Sequence, residues 1–161
     1  EIVDAIVSAN ANLLTIHART KLHGYRPPAY WEYIGTIQEK YAIELVANGE
    51  IWSKSDAQRC QKIAKTKNLM LGRGILALPN LANVIKNDDT PMSWQQVAGL
   101  LHHYSQLELK GDKSYYFSSR MKQWLRYLKL QYPEAQNLFD KIKTMKEKEI
   151  ILTELENSLK N

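Results

Sequence analysis

Ile43-Glu44-Leu45-Val46-Ala47-Asn48-Gly49-Glu50 is the stretch on which the fold turns. The apolar run from Ile43 to Ala47 predicts a short strand, and Asn48-Gly49 ends it. Asn-Gly commonly closes a two-residue hairpin. Here a helix follows instead of a partner strand: Ser53 to Ala64 has helical periodicity, with Ser53 or Ser55 as N-cap. A strand that runs into a helix belongs to a βα unit, and successive βα units make a parallel sheet. The pattern repeats on both sides. Upstream, Ile2, Ile6 and Val7 read as the end of a helix. Leu13-Leu14-Thr15-Ile16-His17 reads as a short buried strand, and Tyr30 to Tyr41 as a helix with Tyr33, Ile34 and Ile37 on one face. Downstream, Asn68 to Leu71 predicts a third strand and Ile75 to Leu81 another helical stretch. The strand ends at His17, Asn48 and Gly72 lie 31 and 24 residues apart, which suits consecutive βα units.

Beyond residue 90 the pattern is helical throughout. Pro91-Met92-Ser93-Trp94 starts a helix whose apolar face carries Val97, Leu100, Leu101 and Tyr104. Lys110-Gly111-Asp112 predicts a turn. Ser118 to Gln131 predicts a second helix with a stripe of Met121, Leu125 and Leu128. Pro133 stops it and opens the next, on which Leu138, Ile142 and Met145 share a face. A last helix carries Ile151, Leu155 and Leu159. Asn83 to Thr90 reads as a polar linker. The expected organisation is an α/β part over residues 1–85 and an all-α part over 86–161.

The chain has 161 residues, 44% hydrophobic and 24% charged, enough for one compact domain or a little more. A single cysteine excludes a disulfide framework or a multi-cysteine metal site and fits a reducing cytoplasm; no metal is predicted. No apolar run approaches the roughly 20 residues of a membrane span. The first residue is Glu1 and no signal-peptide pattern follows, so the expectation is a piece excised from a longer protein.

The net charge is +5 and the isoelectric point about 9.2. Its distribution is informative. Lys113 to Tyr132 holds five basic residues, Lys113, Arg120, Lys122, Arg126 and Lys129, and no acid. The same window holds Tyr115, Tyr116, Phe117, Trp124, Tyr127 and Tyr132, six of the chain's fifteen aromatic residues (four Trp, nine Tyr, two Phe). Lys122, Arg126 and Lys129 share one helical face. Basic side chains neutralise phosphates and flat rings stack on unpaired bases, so RNA is the partner this window suggests. An ordinary helix with a solvated basic face is the alternative.

In parallel α/β folds ligands sit beyond the carboxyl ends of the strands. All three strand ends here are polar. At His17-Ala18-Arg19-Thr20 an imidazole and a guanidinium emerge from an apolar run, and both can donate to an anion or a ring carbonyl. A hydrogen-bonded core histidine is the alternative for His17. At Asn48-Gly49-Glu50 the glycine lets backbone N–H groups approach a ligand. At Gly72-Arg73-Gly74 two glycines flank a cation just before a helical stretch, a combination that suits phosphate, although glycine-rich turns are common without one. Together these ends predict a phosphorylated cofactor or substrate held between the turns at Asn48 and Gly72.

The residues also carry a family resemblance. His17-Ala18-Arg19-Thr20-Lys21, then Gly24-Tyr25-Arg26, Trp31, Ile34 and Gly35, Val46-Ala47-Asn48-Gly49-Glu50-Ile51 and Leu71-Gly72-Arg73-Gly74 resemble the tRNA-dihydrouridine synthases. Pro79-Asn80-Leu81, Val84-Ile85-Lys86, Pro91-Met92, Lys110-Gly111-Asp112 and Arg120-Met121-Lys122-Gln123-Trp124-Leu125 are similar to the C subfamily, which acts on uridine 16 of tRNA.

The resemblance implies the last three βα units of a flavin-binding (β/α)8 TIM barrel followed by a C-terminal helical-bundle domain. It implies FMN as cofactor, NADPH as reductant, and reduction of the uridine C5–C6 double bond in the tRNA D-loop. By position, His17, Asn48, Gly49 and Glu50 would line the FMN site, and Gly72 and Arg73 would bind its phosphate. Arg120, Lys122 and Lys143 would contact tRNA, and Arg126 joins them from the basic face. The family's general-acid cysteine would lie upstream of this chain. Cys60 falls on the wrong part of the fold and reads as a buried structural thiol. The expectation is therefore the C-terminal half of a synthase, inactive alone, with open sheet edges that invite self-association. Two other readings stay open: an RNA-binding helical module without flavin chemistry, and another FMN-dependent barrel oxidoreductase with a small-molecule substrate.

Overall fold

A computed structural model describes residues 1–24, 26–107 and 114–159; of Ser114 and Tyr115 it describes the backbone alone. The chain divides into two compact units. The first comprises Glu1–Ile75 and Leu81–Asp88, the second Leu76–Asn80 and Asp89–Asn161. The predicted turn at Lys110-Gly111-Asp112, and Lys113 and Tyr25, lie outside the described residues.

The first unit is α/β. Its elements run α1 (Ile2–Ser8), β1 (Leu13–His17), α2 (Trp31–Lys40), β2 (Glu44–Asn48), α3 (Lys54–Ala64) and β3 (Asn68–Met70). α4 (Arg73–Ala77), of which Arg73–Ile75 belong to this unit, and α5 (Leu81–Asn87) follow. The strands form one sheet in the order β1-β2-β3, and both pairs are parallel. The register sets His17 beside Asn48, and Asn48 beside Met70. The three strands therefore end abreast.

The turns at both ends of α3 have local causes. Ser53 caps α3, its Oγ accepting from the Asp56 N–H at 3.1 Å. Lys65 ends α3 in the left-handed conformation. Thr66 donates to the Leu45 carbonyl at 2.6 Å and so ties that turn to the middle strand.

Leu45 and Ala47 of β2 are buried against Ile34, Ala57, Cys60 and Ala64 of α2 and α3, with Leu14 and Ile16 of β1 packed alongside. The opposite sheet face is open within the unit: Leu13 is 50% and Met70 47% exposed. That corrects the expectation of a buried first strand. β1 alternates exposed and half-buried, because helices of this unit cover one face only.

Two further expectations change. The helical stretch foreseen at Ile75–Leu81 is divided, α4 ending at Ala77 and α5 starting at Leu81. The linker foreseen at Asn83–Thr90 is largely helix, since α5 runs to Asn87. Leu81 and Val84 give α5 a buried edge that outweighs the polarity of Asn83, Lys86 and Asn87.

The second unit holds α6 (Trp94–Gln106), α7 (Ser114–Leu128), α8 (Pro133–Ile142) and α9 (Lys148–Leu159). Ser93 and Gln96 form a reciprocal capping box at the start of α6. Pro133 occupies the first turn of α8. Val97, Leu101, Met121, Leu125, Leu128, Leu138, Ile142, Ile151 and Leu155 form the core, as their spacing predicted. Leu100 is more exposed than that, at 37%. No helix among the described residues is long and apolar enough to cross a membrane.

Candidate functional site

The carboxyl ends of the three strands open onto a cavity of about 230 Å³. His17, Asn48, Gly49, Glu50, Gly72 and Arg73 all line it, with Ile51, Trp52, Met70 and Gly74. Six residues chosen from three separate strand ends thus meet at one place.

Hydrogen bonds beyond the ladder fix the rim. The Ala18 N–H donates to the Asn48 carbonyl at 2.8 Å, so the β1–β2 pairing continues into the loop. Asn48 Nδ2 donates to the Met70 carbonyl at 2.7 Å and closes the other side. Trp31 Nε1 donates to the Gly49 carbonyl at 2.9 Å. Gly49 sits at φ +124°, and Glu50 follows at φ 56°. This sharp left-handed turn needs glycine at its first position and swings the Glu50 carboxylate back towards the sheet end.

Two glycines frame Arg73 for different reasons. A Cβ on Gly74 would lie 2.1 Å from the Ile51 carbonyl oxygen, so close approach of two backbones requires glycine there. A Cβ on Gly72 would meet nothing within 4 Å; glycine there leaves bare backbone beside open space. α4 has only five residues, so the longer helix expected behind this turn is not present.

Arg73 and His17 differ in exposure from a packed core. His17 is exposed, which removes the core-histidine alternative. Its Nδ1 lies 3.2 Å from both the N–H and the carbonyl of Arg19. Arg73 Nη2 lies 3.7 Å from Glu50 Oε2, and its guanidinium stands 5.3 Å from the centre of the Trp52 ring.

Glu50 is the hub of this cluster. Its Oε1 accepts from Trp52 Nε1 at 2.7 Å, and its Oε2 accepts from Arg19 Nη2. The Arg19 side chain has no exposed surface. Burial first, and then the Arg73 charge, pull its guanidinium below the ordinary value. The strand-end pattern offers Arg19, like His17, as a donor to an anion or a ring carbonyl. The structure corrects this, burying Arg19 behind Glu50 and outside the cavity lining, and adds Trp52, which the pattern does not single out. The signal was the i, i+2 alternation at the strand ends: Arg19 follows His17, and Trp52 follows Glu50, by two residues.

The four basic residues expected to contact RNA all lie in the second unit. Arg120 on α7 donates to Gln123 Oε1 at 2.9 Å. Lys143, just past α8, is exposed and pairs with Asp140 at 3.1 Å. Arg126 stands over the Phe139 ring of α8 at 5.9 Å, with Lys129 over the same ring at 5.4 Å. Lys122 is half-buried and donates to the Met145 carbonyl. Burial, then the neighbouring Lys146 charge, lower its pKa. The basic face is therefore partly packed across α7 and α8 rather than wholly solvated.

Among the described residues, two of the window's aromatics belong to the core. Phe117 and Tyr132 are buried, and the Tyr132 hydroxyl donates to the Met92 carbonyl at 2.9 Å.

The whole described arrangement, three parallel strand ends with a glycine-flanked arginine at the last, accompanies a match to the dihydrouridine synthase (Dus) family model over residues 1–161. The chain belongs to the dihydrouridine synthase family. Among curated members it is similar to the tRNA-dihydrouridine(16) synthase of Shewanella oneidensis, 47% identical over 154 residues, covering 96% of this chain and 49% of that protein. The protein of the same name from Vibrio parahaemolyticus is 52% identical over 145 residues, covering 89% of this chain and 45% of the relative. That from Escherichia coli K12 is 42% identical over 146 residues, with 90% and 46% covered. The chain thus spans about half the length of the curated family members it matches.

Proposed function

We propose that this chain is the C-terminal part of a tRNA-dihydrouridine synthase. It would form the last three βα units of a (β/α)8 barrel over residues 1–85 and a helical tRNA-binding domain over 86–161. Its substrate would be a D-loop uridine of tRNA, at the position 16 that the relatives' names carry, in the cytoplasm. The observation behind this reading is the convergence of six residues from three strand ends on one cavity.

The residues present fit the phosphate end of FMN. Gly72 leaves backbone bare beside open space, and Arg73 brings a cation to the same wall. The cavity, about 230 Å³, is smaller than the roughly 300–1,000 Å³ of a complete small-molecule pocket. It suits one end of the cofactor. FMN, when bound and recharged by NADPH, supplies the hydride chemistry. Arg73 and the Gly72 backbone would hold its phosphate. Asn48, Gly49 and Glu50 would shape the adjoining wall, and His17 would offer a ring nitrogen to the flavin.

Cys60 is not the general acid of this reaction. It is fully buried in the α3 core, and burial pushes its thiol up to about 12. On this reading the proton donor comes from outside the chain, and the chain alone does not turn over uridine. Arg120, Lys122, Arg126 and Lys143 would neutralise tRNA phosphates, contacts that position the nucleic acid and read no sequence.

The test is an FMN titration of this chain followed by flavin fluorescence. Saturable binding is expected, weakened about tenfold or more by Arg73→Ala, the effect of losing one charge-assisted contact. An absence of saturable binding, or an affinity indifferent to Arg73→Ala, counts against the flavin assignment and favours an RNA-binding module.

A further inference from the structure

Glu50 poses an electrostatic difficulty for any anion in the cavity. Its carboxylate lines the wall and lies 3.7 Å from Arg73 Nη2. Alone, it would cancel the Arg73 charge and repel a phosphate. Behind it stands Arg19, buried, with Nη2 on Glu50 Oε2. The Nε and Nη1 of Arg19 are buried without hydrogen-bond partners among the described residues. Among the described residues Glu50 is thus the one hydrogen-bonding partner of that guanidinium. A buried cation committed to one carboxylate holds it strongly, because either partner left alone would be an uncompensated charge in a poorly solvated place.

We infer that Arg19 is a positioning residue for anion binding: by neutralising and anchoring Glu50 it leaves the Arg19–Glu50–Arg73 cluster with one net positive charge, presented to the cavity at Arg73. Trp52 completes the device. It donates to the other Glu50 oxygen and lies against the Arg73 guanidinium, so the carboxylate has both oxygens occupied and a fixed orientation. The inference rests on the reading of this cavity as the seat of the FMN phosphate, and it assigns a role to a side chain that does not line the cavity.

Charge arithmetic makes it testable. The cluster carries +1 as it stands, 0 in Arg19→Met, and +1 again in Arg19→Met/Glu50→Gln. The experiment compares dissociation constants for FMN and for riboflavin, which lacks the phosphate, in the wild-type chain, both variants, Arg19→Lys and Arg73→Ala. Arg19→Met is expected to lose about tenfold in the FMN-over-riboflavin preference, the equivalent of one charge contact. Adding Glu50→Gln restores most of that preference, and Arg19→Lys keeps it. The double variant removes the buried guanidinium and its half-buried carboxylate partner together, so it leaves no uncompensated charge behind and keeps the test open if a single change loosens the fold.

If Arg19 merely supports the fold, FMN and riboflavin weaken in parallel and the second substitution rescues neither; that result overturns the inference. A wild-type preference removed by Arg73→Ala but untouched by Arg19→Met overturns it while leaving the cavity reading intact. A wild-type chain with no preference for FMN over riboflavin overturns both.

Discussion

At the residue scale, Gly72 and Gly74 are neighbours in sequence with opposite requirements. A methyl at position 74 would drive into the Ile51 carbonyl at 2.1 Å and the Leu81 side chain at 2.9 Å. Gly74→Ala is expected to destabilise by about 1–3 kcal/mol, the ordinary range for overpacking, read as a lowered urea midpoint. Gly72→Ala meets open space, so its stability should stay within about 0.5 kcal/mol of wild type while flavin affinity falls. Equal losses of stability in both variants would contradict this division.

Cys60 makes a second residue-scale prediction. Its thiol is held protonated in the folded state, its pKa raised from 9.0 to about 12 by burial. The unfolded chain therefore loses this proton at lower pH than the folded one. The contribution is present in full below 9 and is lost as pH rises towards 12. Cys60→Ala should flatten that alkaline fall in an unfolding series, and the native thiol should resist alkylation until urea exposes it.

At the element scale, helices end where tertiary contacts stop holding them. Ser53→Ala removes the acceptor for the Asp56 N–H and should cost about 1 kcal/mol, measured by denaturant unfolding. α7 shows how an amphipathic pattern can be correct yet incomplete. Met121, Leu125 and Leu128 face the core as their spacing requires. Lys122, one step round the helix, reaches the Met145 carbonyl instead of solvent. Replacing Arg120 and Arg126 by Glu should weaken tRNA binding and leave flavin binding and stability unchanged. Adding Lys122→Glu should also lower stability, by about 0.5–1.5 kcal/mol, the net worth of one hydrogen bond, since the Met145 carbonyl keeps the Ser118 hydroxyl as its donor. Unaltered tRNA affinity in the Arg120→Glu/Arg126→Glu chain would remove these helices from the tRNA surface.

At the scale of the whole molecule, a net charge of +5 and the four proposed phosphate contacts predict that any affinity of this chain for tRNA depends on salt. At roughly 0.9 counterions released per contact, four contacts lose on the order of 10²-fold between 50 and 200 mM salt. A flat salt profile would mean that these cations do not meet phosphate. The strand-to-helix alternation from Leu13 to Ala64 was legible because a two-residue period and a 3.6-residue period are local properties of a chain. For the same reason the strand-end residues could be picked out one by one. Sequence by itself determined the parallel α/β character, the apolar stripes of the later helices and six of the residues on the cavity wall, though not Trp52. It did not determine which face of the sheet lacks a covering layer, where α4 gives way to α5, or that Arg19 stands behind Glu50. Those depend on which layer packs on the sheet, on backbone approach at Gly74 and on a desolvated partner 31 residues away, none of which has a period. Only tertiary structure decides them, because a buried charge takes its partner from space and not from sequence.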